Sequence, residues 1–302
     1  MKKRYIIVLL TALVLFESCG EGIITVDESN YEPKIVIEGY LYPGKPVSGI
    51  RFTRNVPLNQ NIEISTLVLT DARAEITDLA QSQTTYQLTF NADSGYYEYS
   101  DSDLQIRSGD SYRLDVSARI DGRDLSAKSV TTVPQSGFSF IESTSTSSLV
   151  FGEKDAFGNA KPKILFNRSA ETDYYAFSIV ALNASVDNFI YDIHPWGGSI
   201  KEKDVIENMD DFKYSHDTIF NTPLTAATQE WTIEWFHLWF YSRYRIIGYA
   251  GDRNMKNYYL THANIQEMDG NLHEPAFNID GDGIGVFGSA VADTFFLEIL
   301  RP

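Results

Sequence analysis

Hydrophobic and polar residues alternate with a period of two in short segments along most of the chain, and this pattern predicts β-strands. The first such segment is KIVIEGYL (34–41), and the last is ADTFFLEIL (292–300). In the last segment, Phe295, Leu297 and Ile299 fall on one face. A helical period of three to four residues is rare, so the sequence predicts a mostly β protein.

The clearest predicted hairpin is the segment DSYRLDVSARIDGRDLSAKSVTTV (110–133). Tyr112, Leu114 and Val116 share one face of its first arm. Asp121-Gly122 lies in the middle, and Asp-Gly is a favoured pair for a two-residue hairpin turn.

About seven short strands at close spacing precede Pro134, and turn residues separate them. This spacing is typical of a β-sandwich. We therefore predict an Ig-like or transthyretin-like β-sandwich over 31–134, with a tether over 19–30. A second β-rich domain with little helix is predicted over 135–302.

The second half also contains strand patterns. KPKILFNRS (161–169) and TDYYAFSIVALNAS (172–185) are predicted to form a strand pair, followed by a long polar excursion over 186–230. Aromatic residues then alternate over 231–241, which predicts a strand that is buried on both faces. Ser242 is predicted to cap a short helix that extends to about residue 253.

The chain begins with Met1-Lys2-Lys3-Arg4 and continues with twelve uncharged residues, YIIVLLTALVLF. A basic start and a short apolar run are the marks of a secretory signal peptide, and the run is too short to cross a bilayer. The one cysteine of the chain, Cys19, follows directly. Residues 1–18 resemble a bacterial lipoprotein signal peptide, although Phe16 and Glu17 depart from the usual box before the cysteine. The resemblance implies that Cys19 carries the covalent lipid (palmitate) of a membrane anchor; the alternative is an ordinary secreted protein.

The formal net charge is −16, from 41 acidic and 25 basic residues. Nucleic-acid binding requires a basic surface, so we expect no nucleic-acid partner. The same charge balance argues against electrostatic attachment to anionic lipid.

Several segments together resemble the domain-of-unknown-function family 4249, lipoproteins of Bacteroidetes. They are IVIEGYLYPGKP, GDSYRLDVSA followed by TTVP, YYAFSIVA, and EPAFNIDGDGIGVFGSAVADTFFLEI. Asp280 and Asp282 interrupt the glycine cluster of the family's last motif, and 186–230 matches poorly. The resemblance implies a lipid-anchored protein of the outer membrane, on its periplasmic face or at the cell surface. It also implies a TonB-dependent transporter as a neighbour, and it supplies no catalytic residues.

Asn278, Asp280 and Asp282 place oxygen atoms at a spacing of two residues, as in part of a calcium loop. Ser289 stands where an EF-hand has its bidentate acid. A tight Asp-Gly turn is therefore favoured over a calcium site. We expect no metal and no other cofactor besides the lipid.

Other motifs in the sequence do not indicate a specific catalytic or cofactor-binding site. Residues 283–288 fit G-x-G-x-x-G, but a strand rather than a helix is predicted after them, which favours a glycine-rich turn over dinucleotide binding. Ser215-His216-Asp217 is not a catalytic triad, because adjacent residues of a strand point in different directions. Trp196, in the segment HPWGG, is the favoured exposed contact residue.

These observations favour a non-enzymatic accessory protein of a TonB-dependent transporter, which would show an apolar surface beside its anchored end. A glycan- or ligand-binding lipoprotein that uses Trp196 is the alternative. A hydrolase or an adhesin-like or pilus-like subunit is less favoured, and we expect the protein not to be an enzyme.

Overall fold

In the computed structural model, residues 33–55 and 63–302 form one compact unit. The predicted signal peptide, Cys19, the tether and Trp196 lie outside the described residues. The structure describes residues 31–57, 63–80, 83–156, 158–191, 194, 197–220, 226–262 and 275–302.

The described residues form nineteen strands and three α-helices. The strands up to residue 140 are β1 (Ile35–Leu41), β2 (Arg51–Arg54), β3 (Arg73–Asp78), β4 (Thr85–Gln87), β5 (Thr89–Asn91), β6 (Tyr96–Glu98), β7 (Ser111–Ile120), β8 (Arg123–Thr132) and β9 (Ser139–Phe140). The later strands are β10 (Ser148–Val150), β11 (Lys154–Asp155), β12 (Gly158–Asn159), β13 (Lys163–Asn167), β14 (Tyr174–Ala181), β15 (Tyr214–Phe220), β16 (Thr228–Thr232), β17 (Arg243–Gly251), β18 (Asp280–Gly281) and β19 (Gly283–Leu300). The helices are α1 (Glu202–Glu207), α2 (Met209–Lys213) and α3 (Arg253–His262).

A seven-stranded sheet has the order β15-β14-β17-β19-β1-β2, and β10 pairs with the far end of β19. A three-stranded sheet has the order β16-β13-β9. One face of β14, β17 and β19 packs against the three-stranded sheet through a core rich in aromatic residues, here called the C-terminal core. It includes Phe166, Phe177, Trp231, Tyr244 and Phe295.

A five-stranded sheet has the order β18-β8-β7-β3-β4. It packs with β1 and β2 around a second core, here called the N-terminal core, which includes Ile37, Phe52, Ile76, Leu114 and Phe287. Two packed sheets around each core correspond to the predicted β-sandwich character.

Strand β19 contributes to both cores. Its first part, Gly283 to Ser289, pairs in parallel with β1, and its later part, Ala290 to Glu298, pairs antiparallel with β17. Phe287 belongs to the N-terminal core, while Phe295 belongs to the C-terminal core. The predicted division between 31–134 and 135–302 stays a prediction.

The prediction of a mostly β fold is confirmed, and individual strands follow it closely. The first predicted strand is β1, and the last one, 292–300, is the second half of β19. Residues 283–288, for which a glycine-rich turn was favoured, form the first part of β19 instead. The predicted hairpin is β7 and β8, and its turn has positive φ at both Asp121 (49°) and Gly122 (80°). Positive φ at both central residues is the geometry of a type I′ turn.

The predicted strand over 231–241 is wrong in most of its length. β16 ends at Thr232, and Trp235–His237 forms a 3₁₀ turn. The segment is also not buried on both faces, in contrast to the prediction. Trp231 and Trp235 are buried, whereas Phe236 is 45% exposed.

The predicted helix over 242–253 is also wrong. The Ser242 hydroxyl accepts a bond from the Asn183 amide and donates to the Arg243 carbonyl, so it does not cap a helix. Strand β17 follows. Its position 248 requires glycine, because a Cβ there would lie 2.5 Å from the Phe138 ring. The helix begins after Asp252 instead.

The strand pair predicted from 161–169 and 172–185 is wrong in its partners. Strand β13 pairs with β16 and β9, and β14 pairs with β15 and β17. The two strands belong to different sheets, and their side chains meet across the C-terminal core, as in the contact of Phe166 with Phe177. Within the described parts of the chain, no helix has the length and apolar character needed to cross a membrane.

Candidate functional site

The strongest candidate site is the face of β15, β14, β17 and β19 that points away from the C-terminal core, here called the outer face. Side chains of a strand alternate between the two faces of a sheet, so the residues between the core positions point outward. On β14 the core positions are Tyr175, Phe177 and Ile179. Ala176 and Ser178, which lie between them, are only partly buried.

Strand register places the outward residues in rows across the four strands. The row nearest the C-terminal end of β19 contains Tyr214, Val180, Arg245 and Phe296. The next row contains His216, Ser178, Ile247 and Thr294, and the third contains Thr218, Ala176, Tyr249 and Ala292. Small side chains therefore fill the middle of the outer face, and aromatic side chains stand at its borders.

The outer face holds a large share of the exposed apolar side chains. Nine large hydrophobic side chains are exposed in the described part of the chain. Five of them point outward at or beside these four strands, and one more, Tyr259, lies on the adjacent helix α3. The five are Leu182, Tyr214, Phe220, Phe296 and Leu300.

The charge of the outer face is opposite to that of the protein. Arg243 and Arg245 are exposed neighbours on β17, and neither forms a salt bridge with a described residue. The Arg243 guanidinium lies 4.2 Å from the centre of the Phe296 ring. Lys213 lies in the same way over Tyr214, at 4.9 Å. Glu298 is the one acidic residue at an outward position of the four strands.

Tyrosines continue this surface toward helix α3. Tyr42 and Tyr249 are in ring contact with centres 6.2 Å apart, and the hydroxyls of Tyr40 and Tyr259 are 3.4 Å apart. Burial, followed by the hydrogen bond with Tyr259, raises the pKa of Tyr40. These rings offer both apolar area and hydroxyl groups.

Helix α3 is positioned by a buried polar cluster. The Asp252 carboxylate accepts a bond of 2.9 Å from the Met255 amide, which caps the helix, and one of 2.7 Å from the Thr131 hydroxyl. Thr131 also lies 2.6 Å from the Ser289 hydroxyl. Burial raises the pKa of Asp252. The cluster fixes α3 against β8 and β19, and with it the tyrosines beside the outer face.

The predicted calcium residues lie on the other large sheet. The Asp282 carboxylate accepts the Ser126 amide at 3.1 Å, and the main-chain carbonyl of Asn278 accepts the Ser129 hydroxyl. Asp280 lies 3.9 Å from the Lys128 ammonium. These contacts hold β18 on β8, with Gly281 at a φ of +87°. Calcium stays the untested and less favoured alternative at this turn; among the described residues no cluster of three or more His, Cys, Asp or Glu side chains is suited to a metal.

Asp280 also borders a shallow depression of about 570 Å³ on the five-stranded sheet. Glu75 and Asp115 face each other across β3 and β7, and Asp115 faces Lys128 across β8. Arg73 lies nearby, 3.9 Å from Glu75. Asp115 lies 2.6 Å from Arg113, so each of the three acids here has a basic neighbour.

The structure brings together a serine, a histidine and an aspartate that the sequence did not connect. Ser215 Oγ lies 2.5 Å from His237 Nδ1, and Asp217 Oδ2 lies 4.0 Å from His237 Nε2. Asp217 is already engaged, because its carboxylate accepts Trp231 Nε1 at 2.7 Å and the Thr218 amide at 2.7 Å. The group therefore joins the edge strand β15 to the C-terminal core. Burial lowers the pKa of His237.

The comparison with protein families gives one match. The family model "Domain of unknown function (DUF4249)" matches residues 22–295, which is most of the chain. The chain belongs to this family. No curated protein matches the chain.

Solved structures resemble the chain only distantly. A tetra-tandem repeat from the extending region of a large adhesion protein is 9% identical, with a TM-score of 0.22, and covers 88% of this chain and 49% of that one. A 1.5-MDa bacterial ice-binding adhesin is 10% identical, with a TM-score of 0.21, over 89% of this chain and 64% of that one. The native alpha-2-macroglobulin of E. coli is 12% identical, with a TM-score of 0.21, and covers 87% of this chain and 14% of that one. The chain thus spans less than two thirds of each of these structures, and the similarities assign no function.

Proposed function

We propose that this DUF4249 protein is a non-enzymatic lipoprotein of the outer membrane, anchored by a lipid on Cys19, that binds a TonB-dependent transporter through its outer face. The observation that carries the proposal is the set of exposed apolar side chains on β15, β14, β17 and β19, beyond the end of the outer face on which helix α3 packs. The transporter as partner follows from the family resemblance, and the anchor follows from the signal-like residues 1–18.

The composition of the outer face supports a protein contact. Contiguous exposed apolar patches on soluble domains commonly mark interaction sites. Aromatic side chains and arginine are the residues most enriched where such contacts are strongest. The outer face carries Tyr214, Phe220 and Phe296 together with Arg243 and Arg245. Sites for small molecules are usually concave, whereas this face is the surface of a sheet.

The sequence predicted an apolar surface beside the anchored end, but the outer face lies far along β19 from the point where the chain enters the sheet. The chain enters the sheet at Ile35, beside Gly283, whereas Phe296 lies near the other end of β19. At about 3.3 Å per residue, this separation along β19 is roughly 40 Å. The partner would therefore be contacted at a distance from the point where the chain enters β1.

The test is co-purification of the tagged full-length protein from gently solubilised envelopes. We expect a TonB-dependent transporter to co-purify with the wild type. The double variant Tyr214→Asp/Phe296→Asp should lose most of the transporter, because it places two carboxylates in the apolar surface. Phe236→Asp is the matched control, since Phe236 is equally exposed but lies outside the outer face.

Cys19→Ser tests the anchor separately. We expect this variant to leave the membrane fraction and to lose the transporter, because the two proteins no longer share a membrane. Recovery of membrane-bound wild type without any transporter would contradict the proposal. So would equal recovery of the transporter with the wild type and the Tyr214→Asp/Phe296→Asp variant.

A further inference from the structure

We propose that the surface bound by the outer face is acidic, and that Arg243 and Arg245 pair with carboxylates of the partner protein. This inference rests on the proposed function and specifies the chemistry of the partner at the same site. It is an inference about recognition, so it can fail while the proposed function stands.

The two arginines lack ion-pair partners in a chain with ample acid to supply them. The protein has 41 acidic residues and 25 basic ones. Some basic residues in the described ranges have acidic partners, such as Arg54 with Asp121 at 2.9 Å and Lys161 with Glu234 at 2.7 Å. Others, such as Arg123 and Arg253, are exposed and form no salt bridge there. Arg243 and Arg245 form no such pair there. Two adjacent, unpaired guanidinium groups on an apolar face are therefore available to an external anion.

An aromatic neighbour positions Arg243 for a contact. Its guanidinium lies over the Phe296 ring at 4.2 Å, which restricts the side chain. A guanidinium that stacks on a ring still has its N–H groups at the edge, where a carboxylate can accept two of them. The partner protein would then contact the guanidinium through a carboxylate and the Phe296 ring through apolar atoms at the same time.

The size of the outer face favours a protein over a smaller ligand. Four strands about 4.8 Å apart and about nine residues long give a surface of roughly 20 by 30 Å. Helix α3 covers the end of this surface near Tyr174 and Ala290. The remaining area, with the bordering tyrosines, is still a large part of the approximately 800 Å² that one partner contributes to a standard protein interface.

Two other occupants fit the charges less well. In a symmetric dimer, the outer face would pack against the same face of a second copy. Lys213, Arg243 and Arg245 of one copy would then approach the same residues of the other and repel them. Glu298 is the one outward acid that would oppose this repulsion. An anionic membrane surface would attract the arginines, but the net charge of −16 would oppose its approach. A protein surface with local acidic groups avoids both difficulties.

The experiment combines site-specific cross-linking with charge reversal in the full-length protein. Benzoylphenylalanine is placed at position 296, on the outer face, and at position 236 as the control. We expect cross-links from position 296 to a TonB-dependent transporter, mapped by mass spectrometry to a segment that contains Asp or Glu. Position 236 should give none.

The dissociation constant of the purified wild-type complex is then compared with that of Arg243→Glu/Arg245→Glu. We expect the double reversal to weaken binding roughly tenfold or more at low salt, because like charges then oppose each other. The wild-type affinity should fall as NaCl rises from about 50 mM to about 500 mM, whereas the variant should be less sensitive to salt. Arg119→Glu/Arg123→Glu, the same charge change on the β7–β8 hairpin, is the matched control and should bind as the wild type does.

The outcomes separate this inference from the proposed function. If position 296 cross-links to the transporter but charge reversal leaves the affinity unchanged, the acidic-partner inference is wrong and the proposed function stands. If position 296 gives no cross-link to a transporter, both are wrong. Cross-links to a second copy would also overturn both. Loss of binding to phosphatidylcholine vesicles with about 20% phosphatidylglycerol as the one effect of charge reversal would overturn the acidic-partner inference alone.

Discussion

The buried imidazole of His237 makes the stability of the protein depend on pH. Its Nδ1 is bonded to Ser215 Oγ, and burial lowers its pKa below the ordinary value of about 6.5. The unfolded chain therefore binds more protons than the folded one between these two pKa values. The contribution of His237 to stability is complete above about pH 6.5 and is lost as the pH falls toward the folded-state pKa.

We expect His237→Gln to change this pH dependence. The variant should be less stable than the wild type at pH 7.5, because Ser215 loses its partner and the side-chain packing changes. Between about pH 7 and pH 5, however, its free energy of unfolding should fall less than that of the wild type, because one buried imidazole no longer titrates. Chemical denaturation at a series of pH values measures both effects. Equal slopes for the wild type and His237→Gln would contradict the argument.

The contact of Ser215 with His237 could not be read from the sequence. The two residues are 22 positions apart, and the predicted strand over 231–241 would have placed His237 beside Trp235 and Trp239 on one sheet face. The chain instead turns at Trp235–His237, which brings the imidazole back to the edge strand β15. Individual side-chain contacts depend on such irregular turns, and a period of two does not report them.

The turn between β7 and β8 tests how far local chemistry determines an element. Asp121 and Gly122 both have positive φ, which glycine adopts at little cost and other residues do not. A Cβ at Gly122 would meet no atom within 4 Å, so any effect of a substitution comes from the backbone conformation.

We expect Gly122→Ala to lower the free energy of unfolding by about 1 kcal/mol. Gly198→Ala is the control, since Gly198 also has open space around it but has no positive φ. Its effect should remain within about 0.5 kcal/mol. Urea denaturation of both variants measures the difference. A loss of stability at Gly198 as large as that at Gly122 would contradict the conformational explanation.

Elements with a strong local signal were predicted correctly, and those that depend on distant partners were not. The β7–β8 hairpin follows from alternation and an Asp-Gly pair, and the second half of β19 follows from alternation alone. Strand β17 was predicted as a helix because Ser242 resembled a cap, although Gly248 is an unfavourable residue inside a helix. In the structure, Gly248 is required by Phe138 and Phe140 from another sheet. The sequence does not show that neighbour.

The outer face is formed by strands from distant parts of the chain and not by one segment. Tyr214, Arg245 and Phe296 come from β15, β17 and β19, and the strand order β15-β14-β17-β19 brings them together. The sequence favoured Trp196 as the contact residue because a tryptophan in a loop is a local feature. A surface made by register across four strands has no such local feature, so composition and motifs could not locate it.

Strand β19 joins the two cores, and we expect them to unfold together. Phe287 packs in the N-terminal core and Phe295 in the C-terminal core of the same uninterrupted strand. The bonds of Thr131 with Asp252 and Ser289 add a second link, from β8 to the start of α3 and to β19. Loss of either core would leave part of β19 without its neighbours.

Leu114→Ala tests this coupling, because Leu114 is fully buried in the N-terminal core. We expect it to lower the free energy of unfolding by about 2–5 kcal/mol. Trp231, Trp235 and Trp239 all lie in or against the C-terminal core, so tryptophan fluorescence reports on the part of the molecule that the variant does not touch. Its denaturation midpoint should shift by the same amount as the midpoint from circular dichroism, since coincident transitions are the mark of a single cooperative unit. Ile246→Ala, in the C-terminal core, should likewise shift both midpoints. If Leu114→Ala leaves the tryptophan midpoint unchanged, the cores unfold independently, and 31–134 and 135–302 are separate domains despite the shared strand.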